Sequence, residues 1–311
     1  MLYGGDKLSR PQSISVAGEW VLVGDVPRPH ALHVISRADG RHLASWGREG
    51  KGPGEFSNLW GIQPDSGGHV WLFDPGQIRL TRLDVSSLVS GSANPLRRTL
   101  GLKGDYLPMT ALWMNDSLVV SSGMFAGGRL AQFDTAGNPR RLVGPLPPAK
   151  PGVPAPVAQH AYTGTLVRHP TRALLAIGTR HADRVEIYRQ DGELVTVARG
   201  PARFEPVYES VVRANAPVMS SGEDLRFGYV DLFAAGDRLY GLYSGATRGE
   251  RPGRASFGGE VHVFDWDGRL LSRYALDGLA LALAVDPGEQ VVYTIRHDPE
   301  PAVLRYLLPR G

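Results

Sequence analysis

The first residues that could carry chemistry form a glycine-rich loop followed by polar side chains. Residues 47–54 hold four glycines around Lys51, and Glu55 and Asn58 follow closely. A phosphate-binding P-loop requires Gly-x-x-x-x-Gly-Lys-Ser/Thr at the start of a helix, whereas Gly52 comes after Lys51 here. The loop therefore indicates a tight turn between strands, with Glu55 and Asn58 placed where the chain begins its next strand.

Metal ligands and nucleophiles are the next kind of chemistry to consider. The chain has no cysteine, which excludes disulfides, cysteine-ligated zinc and thiol catalysis. Its nine histidines form no His-x-x-x-His pair, and the Gly-x-Ser-x-Gly elbow of serine hydrolases does not occur. The sequence therefore predicts no metal and no cofactor. The alternative is Ca²⁺ or another divalent cation, whose oxygen ligands would be Glu55, Asn58, Asn215 and Asp231.

Large polar side chains that suit recognition form a third group. Tyrosine and arginine combine a large contact area with a polar tip. The candidates for contact with a ligand or partner are Glu55, Asn58, Phe125, Arg129, His160, Tyr162, His181, Tyr229, Arg251, Arg254 and His297. One loop, 245–257, holds Arg248, Arg251 and Arg254 with only Glu250 against them. This charge favours an anionic ligand or an acidic patch on a protein partner.

Composition limits which elements can position these side chains. The chain has 311 residues, 42 % hydrophobic and 21 % charged, enough to bury a large core. Its 39 glycines and 24 prolines follow no triplet repeat and indicate many short strands joined by turns. No run of 18 apolar residues occurs, so no transmembrane segment is expected. The net charge of +3 is dispersed rather than gathered in a basic stripe, which argues against a nucleic-acid partner.

A repeated strand pattern supplies the framework. Tight turns recur between alternating apolar residues, at 39–40, 136–137, 191–192 and 267–268, each ending in glycine. Glycine takes the positive φ that such hairpin turns need. Strands placed around these turns form six units, which span 13–46, 59–101, 109–144, 160–198, 228–275 and 280–308. The last unit has three strands rather than four, so we expect residues 2–7 to supply its outermost strand.

The repeat predicts an all-β fold in a single domain, 1–311. Four-stranded units of this length are typical of a β-propeller, here six-bladed, with four-stranded antiparallel blades and closure by the N-terminal strand. Two segments interrupt the repeat. A surface linker, 145–157, holds six prolines, which a sheet interior does not accept. A long insertion, 200–227, separates the fourth and fifth units and includes a candidate outer strand at 208–212.

Several segments resemble one known family. The stretch GREGKGPGEF (47–56) is similar to the Gly-x-Gly-Pro-Gly-Glu-Phe loop of NHL-like and TolB-like six-bladed propellers. Segments that resemble the TolB-like bacterial envelope lipoproteins of unknown function are SSGMFAGGR (121–129), GYVDL (228–232), LYGLYSG (239–245) and VHVFDWDG (261–268). The resemblance implies an exported, lipid-anchored propeller with no established activity. The lack of cysteine departs from the lipoprotein pattern, so the anchor would lie upstream of this chain or the protein is not lipidated.

The sequence as a whole favours binding over catalysis. We expect a non-enzymatic, periplasmic or extracellular propeller, whose leader is not in this chain because residues 1–7 lack an apolar stretch. It would bind a protein partner or a small anionic ligand at one mouth of its channel, as a free protein or within a larger envelope complex. The alternative is a channel-centred, divalent-metal-dependent hydrolase of the lactonase type. The candidate residues above are expected at the mouth where the loops before the first strands meet those between second and third strands.

Overall fold

Short strands make up most of the chain, and they fall into two units. The computed structural model describes residues 1–65, 67–92, 94–286, 288 and 290–308. Unit 1 consists of residues 1–102 and 280–311, and unit 2 of residues 103–279. Each unit contains three four-stranded antiparallel sheets. That residues 1–311 form a single domain stays a prediction.

The elements are numbered in chain order. The first strands are β1 (Tyr3–Gly4), β2 (Ser13–Ala17), β3 (Trp20–Gly24), β4 (Leu32–Ser36), β5 (His42–Trp46), β6 (Arg48–Glu49), β7 (Glu55–Phe56), β8 (Gly61–Pro64), β9 (His69–Asp74), β10 (Arg79–Asp84) and β11 (Leu96–Gly101). The next are β12 (Leu107–Asn115), β13 (Leu118–Met124), β14 (Leu130–Phe133), β15 (Pro139–Val143), β16 (Gly164–Arg168), β17 (Leu174–Thr179), β18 (Val185–Arg189) and β19 (Leu194–Ala198). The last are β20 (Glu209–Arg213), β21 (Ala216–Ser220), β22 (Tyr229–Ala235), β23 (Arg238–Tyr243), β24 (Gly258–Asp265), β25 (Leu270–Ala280), β26 (Ala282–Asp286), β27 (Val291–Arg296) and β28 (Ala302–Leu307). Two short helices are α1 (Val85–Val89) and α2 (Ala155–Ala161).

The six sheets are the blades that the repeat predicts. Unit 1 contains β2-β3-β4-β5, β8-β9-β10-β11 and β26-β27-β28-β1, and unit 2 contains β12 to β15, β16 to β19 and β22 to β25. First strands of neighbouring blades lie side by side, since β2 contacts β8 and β26, and β16 contacts β12 and β22. Second strands such as β3 and β17 are almost wholly buried, because neighbouring sheets cover both of their faces. The predicted all-β, six-bladed β-propeller of antiparallel blades is confirmed.

The N-terminal strand completes the last blade, as predicted. Tyr3 pairs with Val303 and Gly4 pairs with Ala302 in antiparallel register. The amide of Leu2 donates to the carbonyl oxygen of Val303 at 2.9 Å. This pairing covers the edge of β28, which would otherwise expose unpaired backbone groups.

Deletion of residues 1–8 is therefore expected to lower the melting temperature by several degrees. The deletion removes the β1–β28 pairing and the side chain of Leu8, which is buried. Burial of one leucine contributes about 2 kcal/mol to the free energy of unfolding. Circular dichroism melts measure the effect, with deletion of the exposed Met1 alone as the control. A truncated protein that melts like the full chain would contradict this role for β1.

Helix α2 corrects the predicted start of the fourth blade. The expected strand 160–168 begins only at Gly164, and residues 155–157 of the expected linker are helical. Pro154 is the N-cap of α2, and Pro156 lies in its first turn, where the fixed φ of proline suits a helix. His160 and Tyr162 consequently lie in the last turn and at the C-cap of a helix rather than in a strand.

Two further segments differ from the predicted repeat. Between the third and fourth strands of the second unit, where the other units have a tight turn, the chain forms α1, and the side chain of Asp84 accepts the Ser87 amide at 2.9 Å as its N-cap. Residues 208–212 are not an outer strand of a blade. Instead β20 pairs with β21 in a separate two-stranded hairpin, with Ala214 and Asn215 at positive φ in its turn. Its distinct sheet could not be inferred from β-propensity, which does not identify the pairing partner.

Candidate functional site

The connections at one end of the unit 2 blades carry most of the predicted binding residues. Because the strands are antiparallel, the segments before each first strand and those between each second and third strand reach the same end of a blade. We call five of these segments the loop end of unit 2. They are 125–129, 155–163, 180–184, 225–228 and 244–257.

Two arginines and one glutamate form a buried ion-pair network in this region. Arg129 Nε lies 2.7 Å from Glu186 Oε2, and Arg184 Nε lies 2.8 Å from Glu186 Oε1. Burial alone would raise the pKa of Glu186, but the two guanidinium groups outweigh it and lower that pKa. Arg129 is 1 % exposed, so it supports the loops and does not form part of the outer surface. Sequence reasoning missed Glu186, although a lone carboxylate in the apolar strand β18 was a usable signal.

Buried polar contacts hold α2 onto the same end. Gln159 Nε2 donates to the carbonyl oxygen of Phe125 at 2.8 Å and to that of Gly128 at 2.6 Å. The guanidinium of Arg129 donates to the carbonyl oxygen of Tyr162 at 2.7 Å. The side chains of Phe125 and Tyr162 are themselves buried. The structure therefore places these two predicted binding residues in the packing that shapes the loop end.

Tyr229 is also enclosed. Its hydroxyl donates to Asp183 Oδ1 at 2.9 Å and lies 3.1 Å from Nδ1 of His262. The ring of His262 stacks on Tyr243, with centroids 4.4 Å apart. Burial, followed by the Asp183 carboxylate, raises the pKa of Tyr229, so its hydroxyl stays protonated. Asp183 also accepts the Gly200 amide at 2.9 Å, and the network thereby ties the long insertion to two blades.

His181 is a buried histidine that is influenced by the charges of basic side chains. This histidine is 8 % exposed, and its ring packs edge-on against Phe227 with centroids 5.0 Å apart. Burial lowers the pKa of His181 to about 3, and Arg180, His160 and Arg248 lower it further through their charge. The imidazole of His181 is therefore neutral near pH 7. Of these basic side chains, Arg180 and Arg248 carry the positive charge.

Acidic residues both inside and outside the arginine-rich loop lie beside its arginines. Glu250 pairs with Arg226, which lies outside the loop, at 3.2 Å. The Gly249 amide donates to the carbonyl oxygen of Glu223 at 2.9 Å, which brings the acidic residues 223–224 alongside the loop. Within residues 245–257 Glu250 is the one acidic residue, and residues 223–224 add acidic charge from outside the loop. The expectation that this loop favours an anion stays a prediction.

The three arginines of this loop differ in exposure. Arg248 and Arg254 are exposed. Arg251 is half-buried, and its Nη1 has no hydrogen-bond partner among the described residues. Arg248 and Arg254 thus carry the exposed positive charge of the loop.

The predicted binding residues of unit 1 make internal contacts. Glu55 lies 2.7 Å from Arg48 and accepts the Gly52 amide at 2.8 Å, and these bonds lower its pKa. A Cβ at Gly50 would meet the Glu55 carboxylate at 2.1 Å, so a larger residue there would displace this carboxylate from its present position. His297 Nε2 donates to the Pro11 carbonyl oxygen at 2.6 Å. Asn58 is half-buried beside this loop.

The residues of the alternative metal site lie in different kinds of element. In unit 2, Asn215 is exposed in the turn of the β20–β21 hairpin, whereas Asp231 lies in β22 and accepts from Thr165 Oγ1 at 3.1 Å. Among the described residues no group of three or more histidine, aspartate or glutamate side chains is arranged to hold a metal ion. The expectation of no metal and no cofactor stays a prediction.

The architecture defines the class of this protein as a six-bladed β-propeller, with the loop end of unit 2 as its candidate site. The chain belongs to the TolB-like 6-blade propeller-like family, whose sequence model matches residues 2–287. The family expected from the loop motifs is thereby confirmed. No protein of curated function matches the chain in sequence.

Solved structures of varied function share this fold. A streptogramin B lyase is 12 % identical over 97 % of this chain and 84 % of its own, with a TM-score of 0.54. The structure of U3-55K is 10 % identical over 97 % and 96 % of the two chains, with a TM-score of 0.57. The WD40 repeats of RRP9 are 10 % identical over 94 % and 88 %, with a TM-score of 0.54. At this identity the likeness shows the fold alone.

Within the part of the chain that the structure describes, no helix has the length and apolar character needed to cross a bilayer.

Proposed function

We propose that the protein is a non-enzymatic binding module of the bacterial envelope that captures an acidic surface of a protein partner at the loop end of unit 2. Its family is commonly periplasmic, which supports an extracytoplasmic location, either free or within a larger envelope complex. The fold is shared by proteins of different functions, so the proposal depends on the residues of this end.

Three carboxylates at this end already have partners, and this supports the proposal. Glu186 is matched to two buried arginines, Asp183 accepts backbone amides and the Tyr229 hydroxyl, and Glu250 pairs with Arg226. Arg248, in contrast, is exposed on a connection whose backbone is held by neighbouring segments. Cations on a pre-ordered surface favour an acidic partner, because little conformational freedom is lost on binding.

Charge reversal of the exposed pair Arg248 and Arg254 tests this function. The double variant Arg248→Glu/Arg254→Glu is expected to fold normally, because both side chains are exposed, and to lose most partner capture. Capture from solubilised envelope fractions of the source cells, quantified at low and high salt, provides the measurement. Added salt should weaken capture by the unchanged protein, since charge attraction across an exposed surface is screened.

Arg140 and Arg141 provide a matched control. Both lie exposed on the outermost strand β15, so the variant Arg140→Glu/Arg141→Glu makes the same charge change away from the loop end. Equal capture by both double variants would show that net charge alone matters. Undiminished capture by the Arg248/Arg254 variant would overturn the proposed function.

A further inference from the structure

The β20–β21 hairpin differs from the blades because its sheet has only two strands. Two strands alone are at best marginally stable in water, so such a sheet depends on what it packs against. The side chain of Tyr208, which precedes β20, is buried against α2. Lys150 Nζ donates to the carbonyl oxygen of Tyr208 at 3.1 Å. The base of the hairpin is therefore fixed before any partner binds, whereas residues 212–217 at its tip are exposed.

The backbone groups along β20 alternate between its two edges. The two-residue turn 214–215 closes on the pair Arg213 and Ala216. A turn of this length closes on a hydrogen-bonded pair, and hydrogen-bonded pairs alternate with non-hydrogen-bonded pairs along antiparallel strands. The amides and carbonyl oxygens of Ser210 and Val212 therefore point away from β21, to the outer edge of β20.

Proline blocks the outer edge of β21 but not that of β20. Pro217 pairs with Val212, so its nitrogen faces the outer edge of β21, where it has no proton to donate. Strand β20, in contrast, contains no proline. No other strand of the described residues pairs with β20 on its outer side. An exposed edge with its donors and acceptors intact is able to add a further strand.

The sequence of β20 is complementary to itself. Glu209 lies two positions before Val211, and Arg213 lies two positions after it. In an antiparallel pair of two β20 strands centred on Val211, Glu209 of each copy lies opposite Arg213 of the other. Opposite charges across a strand pair stabilise it, and like charges destabilise it. The same centring lets Ser210 of each copy exchange both backbone hydrogen bonds with Val212 of the other.

The apolar residues follow the same symmetry. Met219 packs against the α2 cluster, so its neighbour Val218 points to the opposite face of the hairpin. Val211 pairs with Val218, and both are half-buried. Pairing of two copies would place the two Val211 side chains side by side, with a Val218 side chain on either side of them. Such a row of β-branched neighbours stabilises a sheet.

We infer that β20 is a dimerisation strand, which pairs antiparallel with β20 of a second copy of this chain about a two-fold axis between the two Val211 residues. The pairing forms one four-stranded sheet, in the order β21-β20-β20-β21. Five-residue strands give a small interface compared with the roughly 1,200–2,000 Å² of stable complexes, so the expected dissociation constant is micromolar or weaker. This inference goes beyond the proposed function and does not depend on it.

Two single charge reversals provide the first test. Glu209→Arg makes two arginines face each other across the strand pair, and Arg213→Glu makes two glutamates do so. Each variant alone is expected to raise the dissociation constant by about tenfold. An equimolar mixture of the two should associate at least as strongly as the unchanged protein, because every charge then faces its opposite. Sedimentation equilibrium from about 1 μM to about 1 mM protein measures this association.

The control for these reversals is Arg140→Glu, which makes the same charge change as Arg213→Glu on the exposed strand β15 and should leave dimerisation unchanged. Glu209 and Arg213 are exposed, so their variants should keep the melting temperature of the unchanged protein. A protein that stays monomeric over the whole concentration range would overturn the inference. The same holds for a dimer that the hairpin reversals weaken no more than Arg140→Glu does, or for a mixture that associates no better than either single variant.

Hydrogen exchange at single amides tests the register. The Ser210 and Val212 amides should exchange several times more slowly at high than at low protein concentration, because they become hydrogen-bonded only in the dimer. The Val211 amide is already bonded to β21 and should change less. Equal rates at both concentrations for Ser210 and Val212 would contradict pairing through this edge. The variant Arg248→Glu/Arg254→Glu should dimerise like the unchanged protein, so this inference and the proposed function fail in separate measurements.

Discussion

The variant Glu186→Gln is expected to lose about 3–5 kcal/mol of unfolding free energy, the range for breaking a buried ion pair by removal of one partner. Glutamine keeps the shape of the side chain but leaves Arg129 and Arg184 buried without a counter-charge. The Tyr188 hydroxyl, 3.0 Å from Glu186 Oε2, also loses a charged acceptor. Urea denaturation measures the loss, and the melting temperature should fall by roughly 10 °C.

Two controls define the cause of this loss. The exposed pair Arg189 and Glu193 lies only 2.8 Å apart, yet Glu193→Gln should cost less than about 1 kcal/mol, because water screens the pair. Removing all three buried charges together with apolar residues should cost less than Glu186→Gln alone, since no unpaired ion remains. A Glu186→Gln protein as stable as the Glu193→Gln protein would show that this network does not stabilise the fold.

Acidification from about pH 7 to about pH 5 is expected to remove about 4 kcal/mol of unfolding free energy through two buried histidines. Burial lowers the pKa of His33 to about 4, and the charges of His42 and His30 lower it further. Burial likewise lowers the pKa of His181 to about 3. In the unfolded chain both groups take up a proton near pH 6.5, whereas the folded protein excludes it. Stability is therefore full above pH 6.5 and falls as the pH drops towards the folded values, by about 2 kcal/mol per histidine at pH 5.

The surroundings of His33 explain why its neighbouring carboxylate does not keep it charged. Asp25 Oδ2 lies 3.7 Å from His33 Nε2, beyond hydrogen-bond distance. The oxygens of Asp25 instead accept the amides of Ser9 and Arg10, both at 2.7 Å. The His33 ring uses its other nitrogen, Nδ1, for a 3.0 Å contact with Ser45 Oγ.

Urea midpoints at the two pH values test this acid lability. His33→Gln cannot titrate, so the loss of unfolding free energy on acidification should shrink by about half. His30→Gln, a change at an exposed ring, should leave most of the loss in place. An identical pH dependence in the unchanged protein and in His33→Gln would contradict the role of His33.

The framework of this protein could be predicted from its sequence because it depends on local rules. Alternation of apolar residues, glycine at hairpin turns and the recurrence of four strands are all written in neighbouring residues. The strand missing from the last unit identified residues 2–7 as its outermost strand, and β1 does pair with β28. The loop motif at 47–56 also indicated the family correctly.

The candidate site was harder to predict because burial depends on partners that are distant in the chain. Arg129 and Arg180 are both arginines next to a strand, and no local pattern separates them. Arg129 forms a buried ion pair with Glu186, which lies 57 positions away in the sequence. Sequence reasoning named Arg129 as a binding residue, whereas the tertiary structure buries its side chain against Glu186.

The sequence by itself determined the class of fold, the number of blades and the closing strand, since β-strand period and turn chemistry act over a few residues. Only the tertiary structure decided which charged side chains are neutralised inside the protein and which stay exposed. That outcome depends on desolvation and on the distance to an opposite charge, as the buried pairing of Glu186 with Arg129 shows. Both quantities are set by the packing of segments far apart along the chain, so they are absent from any local pattern.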